Sequence, residues 1–136
     1  MKAFVDTPVF LFAIGADHRF RADCVEFLNR SHTLGIDLHT SIEAVQEFTF
    51  HRMRRAPGEL ALRETQALMG TVVIHPFDKA VLARAHHLLS STQLRGRDSV
   101  HAATALEAGF EIIVSTDADF DEVPGLRRVS PADAAR

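Results

Sequence analysis

Short apolar runs alternate with longer amphipathic segments along the whole chain. Apolar residues that recur at helical spacing predict helices over 7–14, 18–32, 41–55, 59–69, 78–92 and 98–108. Short continuous apolar or β-branched runs predict strands at 2–6, 35–40, 71–74, 110–115 and 126–129. Between and after these elements, 117–123 is expected to be an acidic loop and 130–136 a loose tail.

This alternation of strands with helices is typical of an α/β fold. Short, wholly apolar strands separated by helices predict a parallel sheet that is covered on both faces. A chain of 136 residues suits one domain spanning 1–136. In sheets of this kind, ligands bind beyond the carboxyl ends of the strands. Candidate functional residues are therefore sought at that edge.

Four acidic residues fall at positions that share this edge. Asp6 follows the first predicted strand and Asp117 follows the fourth, whereas Glu43 and Asp98 lie in the first turns of helices. Two carboxylates about 4 Å apart repel by roughly 4 kcal/mol at an effective dielectric constant of about 20. A hard divalent cation removes this repulsion, and oxygen ligands favour Mg²⁺ or Mn²⁺. Such an ion can activate water and polarise a phosphoryl oxygen, which predicts phosphodiester hydrolysis.

Each acid also has a purely structural interpretation. Glu43 could complete a capping box with Thr40, and Asp98 could cap its helix. Asp6 could form an Asx-turn, and Asp117 could be an exposed loop residue. Asp6 has the weakest alternative, because no capping role is expected at the end of a buried strand. One shared site explains all four positions more simply than four separate coincidences.

The sequence around these acids resembles the PIN-domain family, and within it the VapC-type toxins of toxin–antitoxin pairs. Four motifs occur in the family's order: Phe4–Thr7, Thr40–Phe48, Arg97–Ala105 and Val114–Phe120. The third motif includes a run of small residues, which is typical of a helix packed tightly on the sheet. Each motif alone is weak, but the four together span most of the chain and form a specific pattern.

The resemblance implies a three-layer α/β/α fold with a short parallel sheet of four or five strands. It implies endoribonuclease activity that depends on Mg²⁺ or Mn²⁺, an RNA substrate, a homodimer, and a small VapB-like antitoxin that blocks the site. The implied site residues are the quartet Asp6, Glu43, Asp98 and Asp117, in which Glu43 acts directly or through water. Asp119 or Asp121 is implied as an auxiliary acid. The hydroxyls of Thr7 and Thr116 are implied to orient the carboxylates. The sequence departs from the family at Pro8, where a small residue is more common.

The charge of the chain places a limit on how RNA could be held. Formal net charge is −3, so attraction of RNA must depend on local basic patches. Arg52, Arg54 and Arg55 cluster at the end of one predicted helix, and Arg95 and Arg97 precede Asp98. Basic residues in a last helical turn also commonly serve only to balance the helix dipole.

Location and disulfide content follow from simple sequence features. One cysteine, Cys24, excludes an internal disulfide. The apolar run near the start is too short and too close to acidic residues for a secretory signal, and no stretch reaches the length of a membrane span. A cytoplasmic protein without membrane association is expected.

Three other functions fit the sequence less well than a nuclease. A zinc enzyme is disfavoured because the eight histidines form no H-E-x-x-H motif, and each histidine, including His101, is expected at the surface or half-buried. A receiver-like signalling module that binds Mg²⁺ would need a late lysine, but Lys2 and Lys79 are the only lysines. A PIN-like scaffold without activity is disfavoured by the intact quartet.

Overall fold

A parallel five-stranded sheet forms the centre of the protein. A computed structural model describes all residues, 1–136. The strands are β1 (Lys2–Val5), β2 (Asp37–Ser41), β3 (Val72–His75), β4 (Ile112–Val114) and β5 (Arg127–Val129). Their order across the sheet is β3-β2-β1-β4-β5, and every pairing is parallel. The predicted fold class is confirmed, with the larger of the two expected strand numbers.

Helices cover both faces of this sheet. They are α1 (Thr7–Ile14), α2 (Arg21–Leu34), α3 (Ile42–Met53), α4 (Gly58–Thr71), α5 (Lys79–Ser91), α6 (Gly96–Glu107) and α7 (Pro131–Ala134). Helices α5 and α6 pack on one face, and the remaining helices pack on the other. None of the helices is both long and apolar enough to cross a bilayer.

Alternation along β1 divides the core into two clusters. Phe4 points toward α5 and α6, where its ring meets Phe110 edge-on at 5.3 Å between centroids. Val5 points toward α1 and α3 on the other face. Both side chains are completely buried, as a central strand with helices on both faces requires.

Small residues bring α6 close to the sheet. Ala102, Ala103 and Ala105 have no solvent exposure, and none has a side chain long enough to hold the helix away. Close packing of this helix was predicted from the sequence. Because α6 packs closely on the sheet, its first turn, which carries Asp98, lies beside the carboxyl end of β1.

The C-terminal segment differs from the prediction of a loose tail. Residues 131–134 form α7, which packs against α2 and buries Ala135 in the second core cluster. Ser130 caps the helix by accepting a hydrogen bond from the Asp133 amide at 3.1 Å, and Pro131 is its first residue. A serine cap followed by proline favours a helix start, so the prediction was wrong because it took the short polar sequence as evidence of disorder.

Two element boundaries near the acids also differ. The predicted acidic loop contains a short 3₁₀ helix, Ala118–Glu122. Helix α6 begins at Gly96, two residues before the predicted start, and its N-cap residue, Arg95, makes no side-chain capping hydrogen bond. Asp98 therefore lies within the first turn of α6 and does not cap the helix.

Two half-buried histidines on neighbouring strands should make stability depend on pH. His39 Nδ1 lies 2.8 Å from His75 Nε2. Burial lowers the pKa of both rings, and the positive charge of Lys2 lowers both further. The charge of His75 also lowers the pKa of His39. Both pKa values are lower in the folded protein than the unfolded value of about 6.5, so folding favours the neutral rings. Their contribution to the free energy of unfolding is complete above about pH 6.5 and is lost as pH falls through the folded pKa values.

We expect the free energy of unfolding of the wild type to fall between pH 7 and pH 5 in urea titrations. His75→Asn should reduce this loss, because one of the two coupled groups is gone. The exposed His86 supplies a matched control, and His86→Asn should retain the wild-type pH dependence. Identical pH dependence in His75→Asn and wild type would contradict the interpretation.

Candidate active site

Asp6 is the buried centre of the acidic cluster. It follows β1 directly and is only 1% exposed. One carboxylate oxygen accepts a hydrogen bond from the Thr7 amide at 2.9 Å, and the other accepts one from the Ser115 hydroxyl at 2.8 Å. Asp6 is also the N-cap of α1, a capping role that sequence analysis did not expect. Burial raises the pKa of its carboxyl group.

Asp98 connects Asp6 to two further carboxylates. Oxygen atoms of Asp98, Asp117 and Asp119 lie within 4.8 Å of one another. Asp117 caps the 3₁₀ helix by accepting a hydrogen bond from the Asp119 amide at 2.9 Å. Burial, followed by the negative charge of Asp6, raises the pKa of Asp98 to about 6. The fold therefore brings together carboxylates whose charges repel.

Ser115 is the hydroxyl that orients the acids, and sequence analysis missed it. It donates to Asp6 and accepts a hydrogen bond from the Asp117 amide at 3.0 Å. Thr116, to which this role was assigned, makes no side-chain hydrogen bond to the acids. The sheet register explains the difference: Val5 pairs with Val114, so the next residues, Asp6 and Ser115, adjoin. Thr116 follows Ser115 and projects elsewhere.

His101 links the helices and strands around the site. Its Nδ1 lies 2.8 Å from the Ser41 hydroxyl, and its Nε2 lies 3.4 Å from Glu47 Oε2 and 3.5 Å from the Thr7 hydroxyl. The ring is 1% exposed, so the expectation of a surface or half-buried histidine was wrong. A ring nitrogen also lies within 4.8 Å of ligand atoms of Asp6 and Asp98. Because both nitrogens already have partners, His101 serves better as a bridge than as a metal ligand.

Glu47 is the glutamate of α3 that faces this network. Glu47 contacts both His101, at 3.4 Å, and Arg97, at 3.9 Å, whereas Glu43, one turn earlier, contacts only Arg97, at 3.7 Å. Sequence analysis selected Glu43 and passed over Glu47, although both stand in the second motif. Helical spacing does not separate the two, because residues four apart lie on the same face of a helix.

Opposing effects set the charges of Glu47 and His101. Burial alone would raise the pKa of Glu47, but the hydrogen bond and charge of His101 and the charge of Arg97 outweigh it, so the pKa lies below its usual range. Burial would lower the pKa of His101, but Glu47, Asp6 and Asp98 raise it above the ordinary value. When protonated, the His101 ring offsets part of the negative charge of the cluster.

The donor set fits a hard divalent cation. Asp98 belongs to both groups of possible ligands, one with Asp6 and one with Asp117 and Asp119. Carboxylate oxygens are the ligands that Mg²⁺ and Mn²⁺ prefer, whereas zinc sites usually contain histidine or cysteine. Asp121 is unsuitable as an auxiliary ligand because Arg128 holds both of its carboxylate oxygens, at 2.9 and 3.2 Å.

The arginines proposed to contact RNA have different surroundings. Arg52 forms two hydrogen bonds with Glu64, at 3.0 and 3.2 Å, so its guanidinium is less available to RNA than that of an unpaired arginine. Arg97 lies between Glu43 and Glu47 at the rim of the site, with 64% of its side chain exposed. Arg55 and Arg95 are exposed and make no ion pair.

Comparisons with known proteins agree with this architecture. The PIN domain family model matches residues 3–126. Ribonuclease VapC7 of Mycobacterium tuberculosis is 32% identical, with 96% of this chain and 92% of the relative covered. Ribonuclease VapC23 of the same species is 33% identical over 84% of this chain and 91% of its own length.

Solved structures share the fold at low sequence identity. VapBC-1 from nontypeable Haemophilus influenzae matches with a TM-score of 0.77 and 13% identity, covering 96% of this chain and 98% of its own. Mycobacterium tuberculosis VapC20, described as a sarcin–ricin loop cleaving toxin, matches with a TM-score of 0.73 and 16% identity, covering 88% and 92%. These matches, the family model and the curated relatives agree, and the chain belongs to the PIN-domain family, among the VapC-type proteins.

Proposed function

We propose that this protein is an endoribonuclease that requires Mg²⁺ or Mn²⁺. The observation that carries the proposal is the position of Asp98 at the carboxyl edge of the sheet, close to Asp6 in one group of acids and to Asp117 in the other, with Glu47 in contact with His101. Relatives of similar length are named ribonucleases, which supports RNA as the substrate. Membership of the PIN family disfavours the receiver-like alternative.

Asp6, Asp98 and Asp117 would hold the ion, with Asp119 as an auxiliary ligand. When bound, the ion polarises a phosphoryl oxygen and makes water a stronger nucleophile. Thr7 and Ser115 fix the orientation of Asp6 through its two oxygens. Preorganised carboxylates of this kind need little rearrangement during the reaction.

Glu47 is proposed to take the role that sequence analysis gave to Glu43. Its lowered pKa keeps the carboxylate ionised at neutral pH, as a general base requires. His101 holds the carboxylate in position, and the buried imidazolium stabilises its charge. Glu43 is left to orient the exposed Arg97, whose guanidinium can meet a phosphate at the rim.

A toxin role with a VapB-like antitoxin is part of the proposal. The solved complexes named VapBC support such a partner. An apolar groove of about 460 Å³ lies between α1, α2, α3 and α4, and its lining includes Phe10, Leu28, Phe48 and Leu68. This groove is a suitable surface for an apolar segment of the antitoxin. Homodimerisation and a cytoplasmic location remain predictions from the family resemblance.

Cleavage of RNA should require both the ion and its ligands. We expect discrete fragments from total RNA with Mg²⁺ or Mn²⁺, no cleavage with EDTA, and at least about a hundredfold lower rates in Asp6→Asn and Asp98→Asn. In EDTA, Asp98→Asn should be about 1 kcal/mol more stable than wild type, because it removes a repelled charge. A folded, metal-supplied wild type that cleaves no RNA would favour the inactive scaffold.

The two glutamates of α3 allow a matched test. Glu47→Gln should lower kcat by roughly a hundredfold or more, because it removes the proposed base. Glu43→Gln should change kcat by less than about threefold, because it disturbs only an exposed ion pair. Single-turnover cleavage rates distinguish the two variants, and the reverse order of effects would return the role to Glu43.

Attack by water predicts the nature of the cleaved ends. The fragments should carry a 5′-phosphate and a 3′-hydroxyl, because the substrate's own 2′-hydroxyl is not the nucleophile. A 2′-deoxynucleotide at the cleaved bond should therefore still react if the strand binds. Mass spectrometry of the fragments tests this, and a 2′,3′-cyclic phosphate would exclude the mechanism.

A further inference from the structure

A second groove begins at the candidate active site. It has a volume of about 740 Å³ and lies between the α1–α2 turn, residues 15–20, and the C-terminal half of α3. Glu47 lies in its lining together with His18, His51 and Arg55. Because Glu47 also contacts His101, this groove is continuous with the acidic cluster. A strand that places a phosphate at the acids can therefore extend into it.

The turn presents a flat aromatic surface to this groove. The His18 ring stacks on Phe12, with centroids 4.2 Å apart and planes inclined by 19°. His18 is exposed, and the second aromatic neighbour of its ring, Phe20, is tilted by 39° at 5.5 Å and does not stack on it. Its Nδ1 accepts a hydrogen bond from the Phe20 amide at 3.2 Å, which fixes the ring in this orientation. A ring held in this way is a suitable platform for a nucleic-acid base.

Positive charge and an unpaired polar atom lie across the groove from this turn. Burial, followed by the charges of Arg55 and Arg54, lowers the pKa of His51. His51 Nδ1 is buried and has no hydrogen-bond partner. Arg55 is exposed and makes no ion pair, whereas Arg52 is held by Glu64. A phosphate beside Arg55 would find an unpaired guanidinium, with Asp17 as the only acid of the lining besides Glu47.

We propose that this groove binds one nucleotide of single-stranded RNA next to the cleaved bond, with its base on His18 and its phosphate at Arg55. The inference rests on the proposed nuclease function and adds to it the direction in which the strand leaves the acids. An aromatic platform combined with an unpaired guanidinium matches a nucleotide, which offers both a π-face and a charge. Stacking makes the site tolerant of base identity.

The two contacts predict different salt dependence. Binding of a fluorescent, mixed-sequence 12-nucleotide RNA is measured by anisotropy in EDTA, where no cleavage occurs, over a series of KCl concentrations. His18→Ala should weaken binding about tenfold with an unchanged slope of log K against log salt, because it removes stacking. Arg55→Ala should weaken binding and lower the slope by about 0.7, because one phosphate contact is lost.

Conservative variants and distant controls separate these effects from misfolding. His18→Phe, which keeps a stacking surface, should retain most of the affinity, and Arg55→Lys should retain the salt slope. His86→Ala and Arg30→Ala alter exposed residues outside the groove and should bind as wild type does. Urea unfolding of each variant checks that the fold is intact.

Parallel cleavage assays distinguish failure of this proposal from failure of the nuclease function. Wild type that cleaves RNA, while His18→Ala and Arg55→Ala bind with unchanged affinity and slope, would overturn the subsite and leave the groove to a protein partner. The predicted binding pattern without cleavage by wild type would support the subsite and remove the catalytic claim.

Discussion

Burial of a carboxylate among other carboxylates is the constraint on which this structure depends. Asp6 is 1% exposed, and burial, the charge of Asp6 and that of Asp117 all raise the pKa of Asp98, which lies close to both acids. An isolated buried charge would cost several kcal/mol. The cost is reduced by the Thr7 amide, the Ser115 hydroxyl and the positive His101, all of which stabilise the ionised form of Asp6. This arrangement keeps oxygen ligands in place before a cation binds.

The fold supplies these partners through its packing. Pairing of β1 with β4 sets Ser115 beside Asp6, and the alanines of α6 allow its first turn to approach the same point. His101, also on α6, reaches Ser41 at the end of β2 and Glu47 on α3. One buried imidazole thus connects both helical layers through the edge of the sheet. Changes at His101 should therefore affect the geometry of the acids as well as stability.

Sequence patterns were sufficient for the fold and for placing Asp6, Asp98 and Asp117 at one edge of the sheet. Alternation of apolar strands with helices indicates a parallel sheet, and the end of a strand is a well-defined place, so Asp6 and Asp117 could be located without coordinates. Asp98 followed from its position at a helix start and from the third motif. The tail failed because a four-residue helix leaves little periodic signal, although Ser130 and Pro131 mark its start.

The remaining differences between the sequence prediction and the contacts in the structure share a cause. Choosing between Glu43 and Glu47, or between Ser115 and Thr116, depends on which side of a helix or strand faces the site. Residues one turn apart on a helix have the same local sequence features, and only tertiary contacts separate them. The role of His101 was hidden for a similar reason, since its partners Ser41 and Glu47 are 60 and 54 residues away along the chain. Long-range partners are not visible in local spacing.

The central claim is that the carboxylates at the edge of the sheet hold a divalent cation. Calorimetric titration of the protein with Mn²⁺ tests this most directly, with wild type, Asp98→Asn and Glu43→Gln compared at one pH. The account predicts saturable binding by wild type and Glu43→Gln, and at least about tenfold weaker binding by Asp98→Asn. Equal Mn²⁺ affinity in Asp98→Asn and wild type would contradict it, because the acid shared by both groups of ligands would then contribute nothing to binding.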